Sequence, residues 1–472
     1  MEPPLCFILM PFGRKPDPAA NRTIDFDDVF ERAIRKGIEA AGMSPLRGDL
    51  EARGGLIHKQ FFERLILCDF AVADLTTNNA NVYYEFGARH AIRPRTTVAI
   101  TAHPERMPFD VAPLRAIPYA LDSEGRLDES QLPRFIEALT TTLKAAHERE
   151  RRYRHDRRHE SDSPLFDLIN GFTPPEIEHL RADLFPDRIR SEQEISARIA
   201  DVRAGVDFKS KESVAAAVAS LDGIREELGA IEEAEATPVL ELLLAYRAVS
   251  AWDRIVAVYD AMPELLKRQA LPREQLGMAL NRLTEKTGSP TYAERALTVL
   301  EKLEEERGAN PETSSLIGRV HKARWKAARD SGDLLAAGHL RKAIAAYRRG
   351  FEANWCDFYP GVNLATLLFI KGDADAKAEL AKVLPVVRYS AEHIRIDDYW
   401  KHATLLEIAV LAGNAEAAEE HLSDAVTRIK EGFQPTTTAD NLDMILSATA
   451  EQDALQFVAQ IVQTLRARSM SA

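Results

Sequence analysis

Residues 68–92 read C-D-F-A-V-A-D-L-T-T-N-N-A-N-V-Y-Y-E-F-G-A-R-H-A-I, and this stretch decides how the first part of the chain folds. The apolar run 70–73 is short and lies between two aspartates, as in a strand that is covered on both faces. Residues 76–81 are polar and turn-rich, and residues 83–92 have the composition of a helix. Because ligands bind beyond the ends of such strands in a doubly wound sheet, the stretch also predicts a binding site.

Three carboxylates lie on this one strand-turn-helix unit: Asp69, Asp74 and Glu85. They have an ordinary structural interpretation, in which Asp69 caps a strand end, Asp74 caps a helix and Glu85 faces solvent. Glu85, however, precedes Phe86 and Gly87, where a helix that faces the core is expected to carry no charge. Spacing alone leaves the structural and the functional interpretations open.

Length and composition limit the classes of protein to consider. The chain has 472 residues, of which 45% are hydrophobic, so we expect two or three domains with packed cores. Its 61 basic and 73 acidic residues give a net charge of −12, which argues against a nucleic-acid partner. The three cysteines have neither metal-ligand spacing nor an even number, so we expect a reducing compartment, no metal site and no disulfides.

The sequence contains no recognisable targeting or membrane segment. The apolar run 6–10 is far too short for a signal peptide, and no run approaches the roughly 20 apolar residues of a membrane span. We therefore expect a cytoplasmic protein without a membrane partner.

Apolar runs and amphipathic stretches alternate through the first 146 residues, which indicates an α/β domain with a largely parallel, doubly wound sheet. Gly13 follows the first strand in a sharp P-F-G turn that lets backbone N–H groups approach a ligand. Residues 14–22 have the composition of a disordered stretch. The predicted strands are residues 5–10, 44–49, 70–73, 97–101 and one after 109; the predicted helices are 26–41, 56–67, 83–92 and 132–146.

A charge run at residues 147–159 follows the last of these helices. Tyr153 lies among its arginines, as in a single-strand nucleic-acid patch, but the solvated end of a helix explains the run more simply. With the turn-forming residues 160–164, we interpret 147–163 as a charged linker.

From residue 164 to 472 the pattern is helical throughout, in pairs whose first helices begin about 36 to 50 residues apart. Gly288, Gly332, Gly372 and Gly413 fall in or near the predicted turns. We predict an all-α, TPR-like helical repeat array that binds a protein or peptide partner. The predicted pairs are 240–252 with 255–266, 276–284 with 292–304, 314–328 with 340–352, 362–369 with 376–387, 400–411 with 415–429, and 441–448 with 453–465.

Two motifs in the first 145 residues resemble a known family. C-F-I-L-M-P-F-G at residues 6–13 and A-D-L-T-T-N-N-A-N-V-Y-Y-E-F-G-A-R-H-A at residues 73–91 are similar to nucleoside 2-deoxyribosyltransferase-like proteins. Deoxynucleoside monophosphate N-glycosidases and TIR-like NAD hydrolases are related to these proteins. The resemblance implies a flavodoxin- or TIR-like fold and an enzyme that cleaves a glycosidic bond, with N-N-A-N replacing the more usual N-P-N.

The resemblance also implies roles for individual residues. Glu85 corresponds to the nucleophile at the anomeric carbon, and Asp69 to the acid that holds the sugar or protonates the leaving base. Arg47 and Arg89 are candidates to bind a substrate phosphate. The alternative for each is an ordinary ion pair at the protein surface. The candidate substrate-binding residues are Pro11, Phe12, Gly13, Arg47, Asp74, Asn81, Tyr84 and Arg89.

The C-terminal part resembles a second family. A-I-A-A-Y-R-R-G-F-E at residues 343–352 and Y-P-G-V-N-L-A-T-L-L at 359–368 are similar to the TRAFs-binding region of apoptosis signal-regulating kinases. No kinase signature occurs in the chain. The resemblance implies a TPR-like array that acts as a sensor or scaffold.

Two functions from different classes follow. The first is an N-glycosidase acting on a nucleotide or NAD, regulated by the array in stress or defence signalling, with no cofactor. The alternative is a non-catalytic signalling scaffold whose N-terminal domain binds nucleotide or partner proteins. TIR-like enzymes often need assembly, so the resemblance leaves homo-oligomerisation open.

Overall fold

The structure is a computed structural model in which the chain forms two compact units, residues 1–194 and 195–472. It describes residues 3–17, 20, 22–47, 58–112, 114–156, 161–169, 172–175, 177, 185–208, 210–394, 397–429, 433–448 and 456–469. The ends of some predicted elements, at 48–49, 56–57 and 453–455, lie outside the described residues, as do linker residues 157–160.

The first unit is built on a five-stranded parallel sheet with the order β4-β1-β5-β6-β7. If the five strands of this sheet are numbered along the chain without the separate hairpin β2–β3, their order in the sheet is 2-1-3-4-5. This is a doubly wound order. The parallel α/β fold is therefore confirmed. The strands are β1 (Leu5–Leu9), β2 (Arg14–Asp17), β3 (Arg22–Asp25), β4 (Ser44–Arg47), β5 (Phe70–Asp74), β6 (Thr97–Thr101) and β7 (Ile117–Pro118).

Alternate side chains of the central strands enter two separate cores. On β1, Cys6 and Ile8 join the core that contains Phe26 and Leu139, while Phe7 belongs to the core on the other face. Helices therefore cover both faces, which explains why β1 is apolar along its whole length and β5 is apolar up to its last residue, Asp74. The helices are α1 (Phe26–Val29), a π-helical turn (Phe30–Ile34), α2 (Arg35–Ala40), α3 (His58–Leu67), α4 (Ala80–Ile92), α5 (Leu132–Asp156) and α6 (Pro164–Leu168).

Within the stretch 14–22, which has a disordered composition, residues 14–17 instead form a strand and Arg22 begins a second one. β2 pairs antiparallel with β3, from Arg14 opposite Asp25 to Asp17 opposite Arg22. Asp17 is buried and accepts a hydrogen bond from Arg22 Nε at 2.8 Å. The prediction was wrong because these charged residues are paired through tertiary contacts that composition does not reveal.

Residues at the predicted linker have buried contacts in the first unit. The backbone N–H of Asp162 donates to Pro94 O at 2.6 Å, and its carboxylate accepts from Thr97 N at 2.9 Å. Ser163 is fully buried, and Glu192 forms a buried ion pair with Arg64. The domain boundary at 147–163 stays a prediction. An N-terminal fragment that ends before residue 162 would lose these contacts.

The second unit is all-helical over its described residues, and helices are present at each predicted pair. The predicted helix 255–266 is the exception in form: it is divided into helices 252–261 and 264–267, because Met262, which precedes Pro263, is extended. The helices are longer than predicted at most ends, because the caps lie outside the apolar pattern. α7 (Phe185–Ala204) spans the division between the units, and the others are α8 (Lys211–Glu227), α9 (Ala236–Ala248), α10 (Trp252–Ala261), α11 (Glu264–Lys267), α12 (Ala270–Thr287), α13 (Pro290–Arg307), α14 (Pro311–Asp330), α15 (Ala336–Ala353), α16 (Phe358–Lys371), α17 (Ala374–His393), α18 (Tyr399–Leu411), α19 (Ala415–Thr427), α20 (Phe433–Ala448) and α21 (Gln456–Ser469).

The first helices of successive pairs, α12, α14, α16, α18 and α20, contact one another in order, and we call them the first-helix layer. A continuous apolar core runs from Trp325 on α14 to Leu465 on α21. Gly288 and Gly372 end α12 and α16 with φ of 70° and 66°, as left-handed C-caps do. These features define a helical repeat array.

Among the described residues, no helix has both the length and the apolar character that crossing a membrane requires.

Candidate functional site

The carboxyl end of β5 carries a buried polar cluster. Asp74 is 1% exposed and accepts hydrogen bonds from Thr76 N at 3.0 Å, Thr76 Oγ1 at 2.5 Å and Tyr119 Oη at 2.9 Å. Burial raises the pKa of Asp74 to about 6, and the three hydrogen bonds oppose that rise. Thr76 Oγ1 also accepts from Ala102 N at 2.9 Å, so the cluster ties the ends of β5 and β6 together.

The β2–β3 hairpin reaches this same edge of the sheet. His103, which follows β6, lies with Nε2 at 3.1 Å from both carboxylate oxygens of Asp17 on β2. Asp17 in turn pairs with Arg22, whose guanidinium contacts the carbonyl of Leu121 at 3.4 Å. The hairpin thus occupies part of the region where ligands of doubly wound proteins bind.

Three of the predicted substrate-binding residues come together beside β1 and β4, around an aspartate that sequence reasoning missed. Gly13 N donates to Asp27 Oδ1 at 3.1 Å, and Arg47 forms an ion pair with the same carboxylate. The Arg47 guanidinium lies 5.1 Å from the Phe12 ring centroid and 4.9 Å from that of Phe30. Asp27 therefore bonds to two of the residues that the resemblance assigns to the substrate.

The backbone N–H groups at the start of α4 also have a hydrogen-bond acceptor within the protein. The helix begins at Ala80, and its N-cap Asn79 accepts hydrogen bonds from the N–H groups of Asn81, at 2.9 Å, and Val82, at 3.4 Å. Asn81 is a predicted substrate-binding residue, and its N–H group is therefore already bonded within the protein. Tyr84 is 67% exposed, and its ring contacts Phe62 edge to face.

Glu85 lies in the second turn of α4, beside the buried residues Val82, Phe86 and Arg89. It is half-buried and has no hydrogen bond or ion pair with any residue that the structure describes. Burial raises the pKa of Glu85 from 4.5 to about 7. A half-buried carboxyl group without a partner is uncommon, because desolvation of its charge is not compensated.

Asp69 and Arg89 lie at the opposite, amino edge of the sheet. The Asp69 carboxylate accepts from Leu5 N, the first residue of β1, at 3.1 Å. Arg89 is fully buried and donates to the carbonyls of Leu65, Cys68 and Asp69 and to Thr96 Oγ1, at 2.6 to 3.0 Å. Asp69 precedes β5 whereas Asp74 ends it, so the strand length of five residues separates the two acids.

The predicted residues thus divide between two edges. Pro11, which is buried, lies with Phe12, Gly13, Arg47 and Asp74 at strand ends on the carboxyl edge. Sequence reasoning missed Asp27, His103 and Tyr119. His103 could have been found, because it is a polar residue directly after a predicted strand; nothing local distinguishes Tyr119.

The helical unit has a polar cluster of its own in the first-helix layer. Lys322 Nζ donates to Asn363 Oδ1 at 3.0 Å and to Asn441 Oδ1 at 2.9 Å. Glu407 accepts from Thr366 and from Asn441 Nδ2. Burial lowers the pKa of Lys322 to about 8 and raises that of Glu407. The cluster joins α14, α16, α18 and α20, although these helices are far apart in sequence.

Beside this cluster, Tyr359 is 43% exposed and lies among charged side chains of neighbouring helices. The guanidinium groups of Arg319 and Arg282 lie close enough to act electrostatically on its phenol group. Arg282 is itself desolvated, which lowers its pKa, and it pairs with Glu285 at 3.1 Å. Tyrosine and arginine are both enriched among the residues that contribute most to binding at protein interfaces. We call Arg282, Arg319 and Tyr359 the first-helix patch.

In the described part of the α/β unit, no three metal-ligating side chains approach one another closely enough to hold an ion. His402, His421 and Asp424 in the helical unit are the group of described residues that does.

Fold and site together define a class of protein: a small α/β unit followed by a helical repeat array with a polar surface in its first-helix layer. The family model of the MAP3K TRAFs-binding domain matches residues 82–463. This match covers most of the chain, which therefore belongs to the MAP3K TRAFs-binding domain family. The match begins within α4 and includes the whole helical unit to within α21.

Structural likeness adds little to this assignment. A de novo designed helical repeat protein, DHR64, is 15% identical and aligns over 61% of this chain and 97% of its own, with a TM-score of 0.11. So low a score carries no argument. No curated protein matches the chain.

Proposed function

We propose that the chain is a scaffold that binds partner polypeptides through the helical repeat array. The observation that carries this proposal is the family match over residues 82–463, since the family is named for binding TRAF proteins. The first-helix patch is where we expect the partner to bind. Arg282 and Arg319 favour a partner segment that presents carboxylates, which would compete with Glu285 for both guanidinium groups.

The test uses the full-length chain with two probes, a purified TRAF domain and acidic peptides selected on the immobilised protein from a random display library. Binding is measured by fluorescence anisotropy for wild type, Arg319→Gln and the control Arg388→Gln, which removes an exposed arginine from the second helix α17. We expect Arg319→Gln to weaken binding about tenfold or more, the effect of losing one charge-assisted contact. Equal affinities for the three proteins would contradict the proposed surface, and the absence of binding to both probes would contradict the scaffold.

Glu85 supports a second candidate, the N-glycosidase that the N-terminal resemblance implies. The supporting observation is that its carboxyl group is half-buried, with a pKa raised to about 7 and no partner among the described residues. A substrate phosphate would have to displace Asp27 from Arg47 and from Gly13 N. The two motif-bearing segments, residues 6–13 and 73–91, support the deoxyribosyltransferase- or TIR-like identity.

Base release from NAD and from a panel of deoxynucleoside monophosphates tests this candidate, with Glu85→Gln beside the exposed control Glu39→Gln. An active glycosidase releases base with wild type and Glu39→Gln but not with Glu85→Gln. A nucleophilic carboxylate also requires the rate to rise with pH through about 7. No release at high protein concentration, where assembly would form, would exclude it and leave the scaffold alone.

A further inference from the structure

Two histidines and an aspartate come together between the paired helices α18 and α19. His402 lies on α18, and His421 and Asp424, three residues apart, share one face of α19. One ligand atom from each of the three lies within 4.8 Å of the others. His402 is buried, and the other two side chains are half-buried.

His402 is held in the orientation that a metal ligand needs. Its Nε2–H donates to Asp397 Oδ1 at 2.6 Å, which leaves the Nδ1 lone pair free on the other side of the ring. Metal-binding histidines are commonly oriented by such a carboxylate. Asp424 Oδ2 lies 3.5 Å from Nδ1 without forming a hydrogen bond. Ligand atoms of a tetrahedral zinc site with bonds of 2.0–2.1 Å lie about 3.4 Å apart.

The second histidine has an unused nitrogen. Nδ1 of His421, like Nδ1 of His402, is shielded from solvent and has no hydrogen-bond partner among the described residues. Buried polar atoms are rarely left without a partner, so two such nitrogens within one group of metal-ligating residues require an explanation.

The charge around the group favours a cation. Arg428 donates to Asp397 Oδ2 at 2.9 Å and to Asp424 Oδ1 at 3.1 Å, so Asp424 Oδ2 stays free for a metal. The carboxylates of Asp397 and Asp424 outnumber the guanidinium group of Arg428 by one negative charge. The next charged groups beside His421 are Glu420 and Arg388, which offset each other.

We propose that His402, His421 and Asp424 bind a divalent first-row transition metal ion, with zinc as the preferred ion and water in the remaining position. Two imidazole nitrogens and one carboxylate oxygen are a common donor set for zinc. The ion crosslinks α18 to α19 and stabilises the array at this pair.

The experiment uses the tag-free, full-length chain, stripped of metal with a chelator. Zinc binding is measured by calorimetry, and cobalt binding by the visible absorption of tetrahedral Co²⁺. We expect one ion per chain, at least tenfold weaker binding for His421→Asn and Asp424→Asn, and about 10- to 100-fold weaker binding for Asp397→Asn. His339→Asn is the control, because His339 stacks with His321 at 6.2 Å in a pair without a third ligand.

Thermal melts separate ligation from folding. If the site binds metal, zinc raises the Tm of wild type and of His339→Asn but not that of His421→Asn. Equal metal affinity and equal Tm shifts for wild type, His421→Asn and Asp424→Asn would overturn the proposal, as would the absence of binding by wild type. Either of those results would make the group an ion-pair network around Arg428.

Discussion

Arg89 shows how far a residue's role depends on where the fold places it. In the sequence it follows the Y-E-F-G segment and is a candidate partner for phosphate. In the structure its guanidinium is enclosed at the amino edge of the sheet, where it satisfies three carbonyls at the end of α3 and before β5. Because those acceptors are main-chain atoms, the pattern of side chains in the sequence does not predict these hydrogen bonds.

We predict that Arg89→Met destabilises the first unit by at least about 3 kcal/mol, because buried carbonyls lose their donors and each unsatisfied group costs about 1–3 kcal/mol. Urea unfolding, followed by far-ultraviolet circular dichroism, measures the change in the free energy of unfolding. Arg126→Met, at an exposed position, is the control and should change stability by less than about 0.5 kcal/mol. A similar effect of both substitutions would show that the buried hydrogen bonds contribute little.

Glu85 gives a prediction about pH. Because burial raises its folded-state pKa from 4.5 to about 7, the folded chain binds more protons than the unfolded chain between those values. The contribution of Glu85 to stability therefore becomes less favourable as pH rises from about 4.5 to 7. We expect the Tm of Glu85→Gln, relative to wild type, to increase across this range and to level off above it.

Melting curves of wild type, Glu85→Gln and the exposed Glu39→Gln at half-unit pH intervals measure the effect. A Tm difference between wild type and Glu85→Gln that does not vary with pH would mean that the carboxyl group is well solvated. The measurement is independent of catalysis, so it tests the environment of Glu85 whichever function holds.

At the scale of elements, small residues set how closely the paired helices approach. A Cβ added to Gly318 on α14 would lie 2.8 Å from ring atoms of Tyr347 on α15, whereas one added to Gly338 on α15 meets nothing within 4 Å. Both glycines lie inside helices. The pair of positions therefore separates the effect of packing from that of helix propensity.

We predict that Gly318→Ala destabilises the helical unit by about 1–3 kcal/mol through overpacking. Gly338→Ala should instead stabilise it by about 0.5–1 kcal/mol, since alanine restricts the unfolded chain and favours the helix. Denaturant unfolding of the full chain measures both. Stabilisation by Gly318→Ala would mean that the space between α14 and α15 accommodates a methyl group at this position.

At the scale of the whole molecule, the chain divides into its two compact units between residues 194 and 195, within the sequence of α7. Asp162, Ser163, Ile189 and Glu192 are all buried in the first unit or bonded to it. A domain cut near residue 146 would lose those contacts.

We predict that a fragment of residues 1–194 is soluble and cooperatively folded, and that 1–146 has a Tm lower by several degrees because Asp162 and Glu192 no longer cover the sheet edge and α3. The fragment 195–472 should fold on its own, since its helices stack on their neighbours. Circular dichroism melts of the three fragments measure this. Equal Tm values for 1–146 and 1–194 would instead support the linker that the composition predicts.

Much of the architecture could be predicted from the sequence, because its signals are local. The apolar run before Asp74, the asparagine-rich turn and the helix at Glu85 give the order of elements, and helical periodicity with glycine turns gives the paired helices of the array. Element ends were less predictable, as at Ala80, where the cap Asn79 extends the helix three residues before its apolar pattern.

The sequence by itself therefore determined the two fold classes and their order along the chain, since these follow from periodicity within windows of about 20 residues. Only the tertiary structure decided which polar groups meet. It brought Asp27 to Arg47, His103 to Asp17 on a hairpin, Lys322 to Asn441, and His402 to His421 and Asp424, and it separated Asp69 from Asp74. The physical reason is that these contacts join residues distant in sequence or on different elements, whose approach depends on how strands and helices pack and on no local pattern.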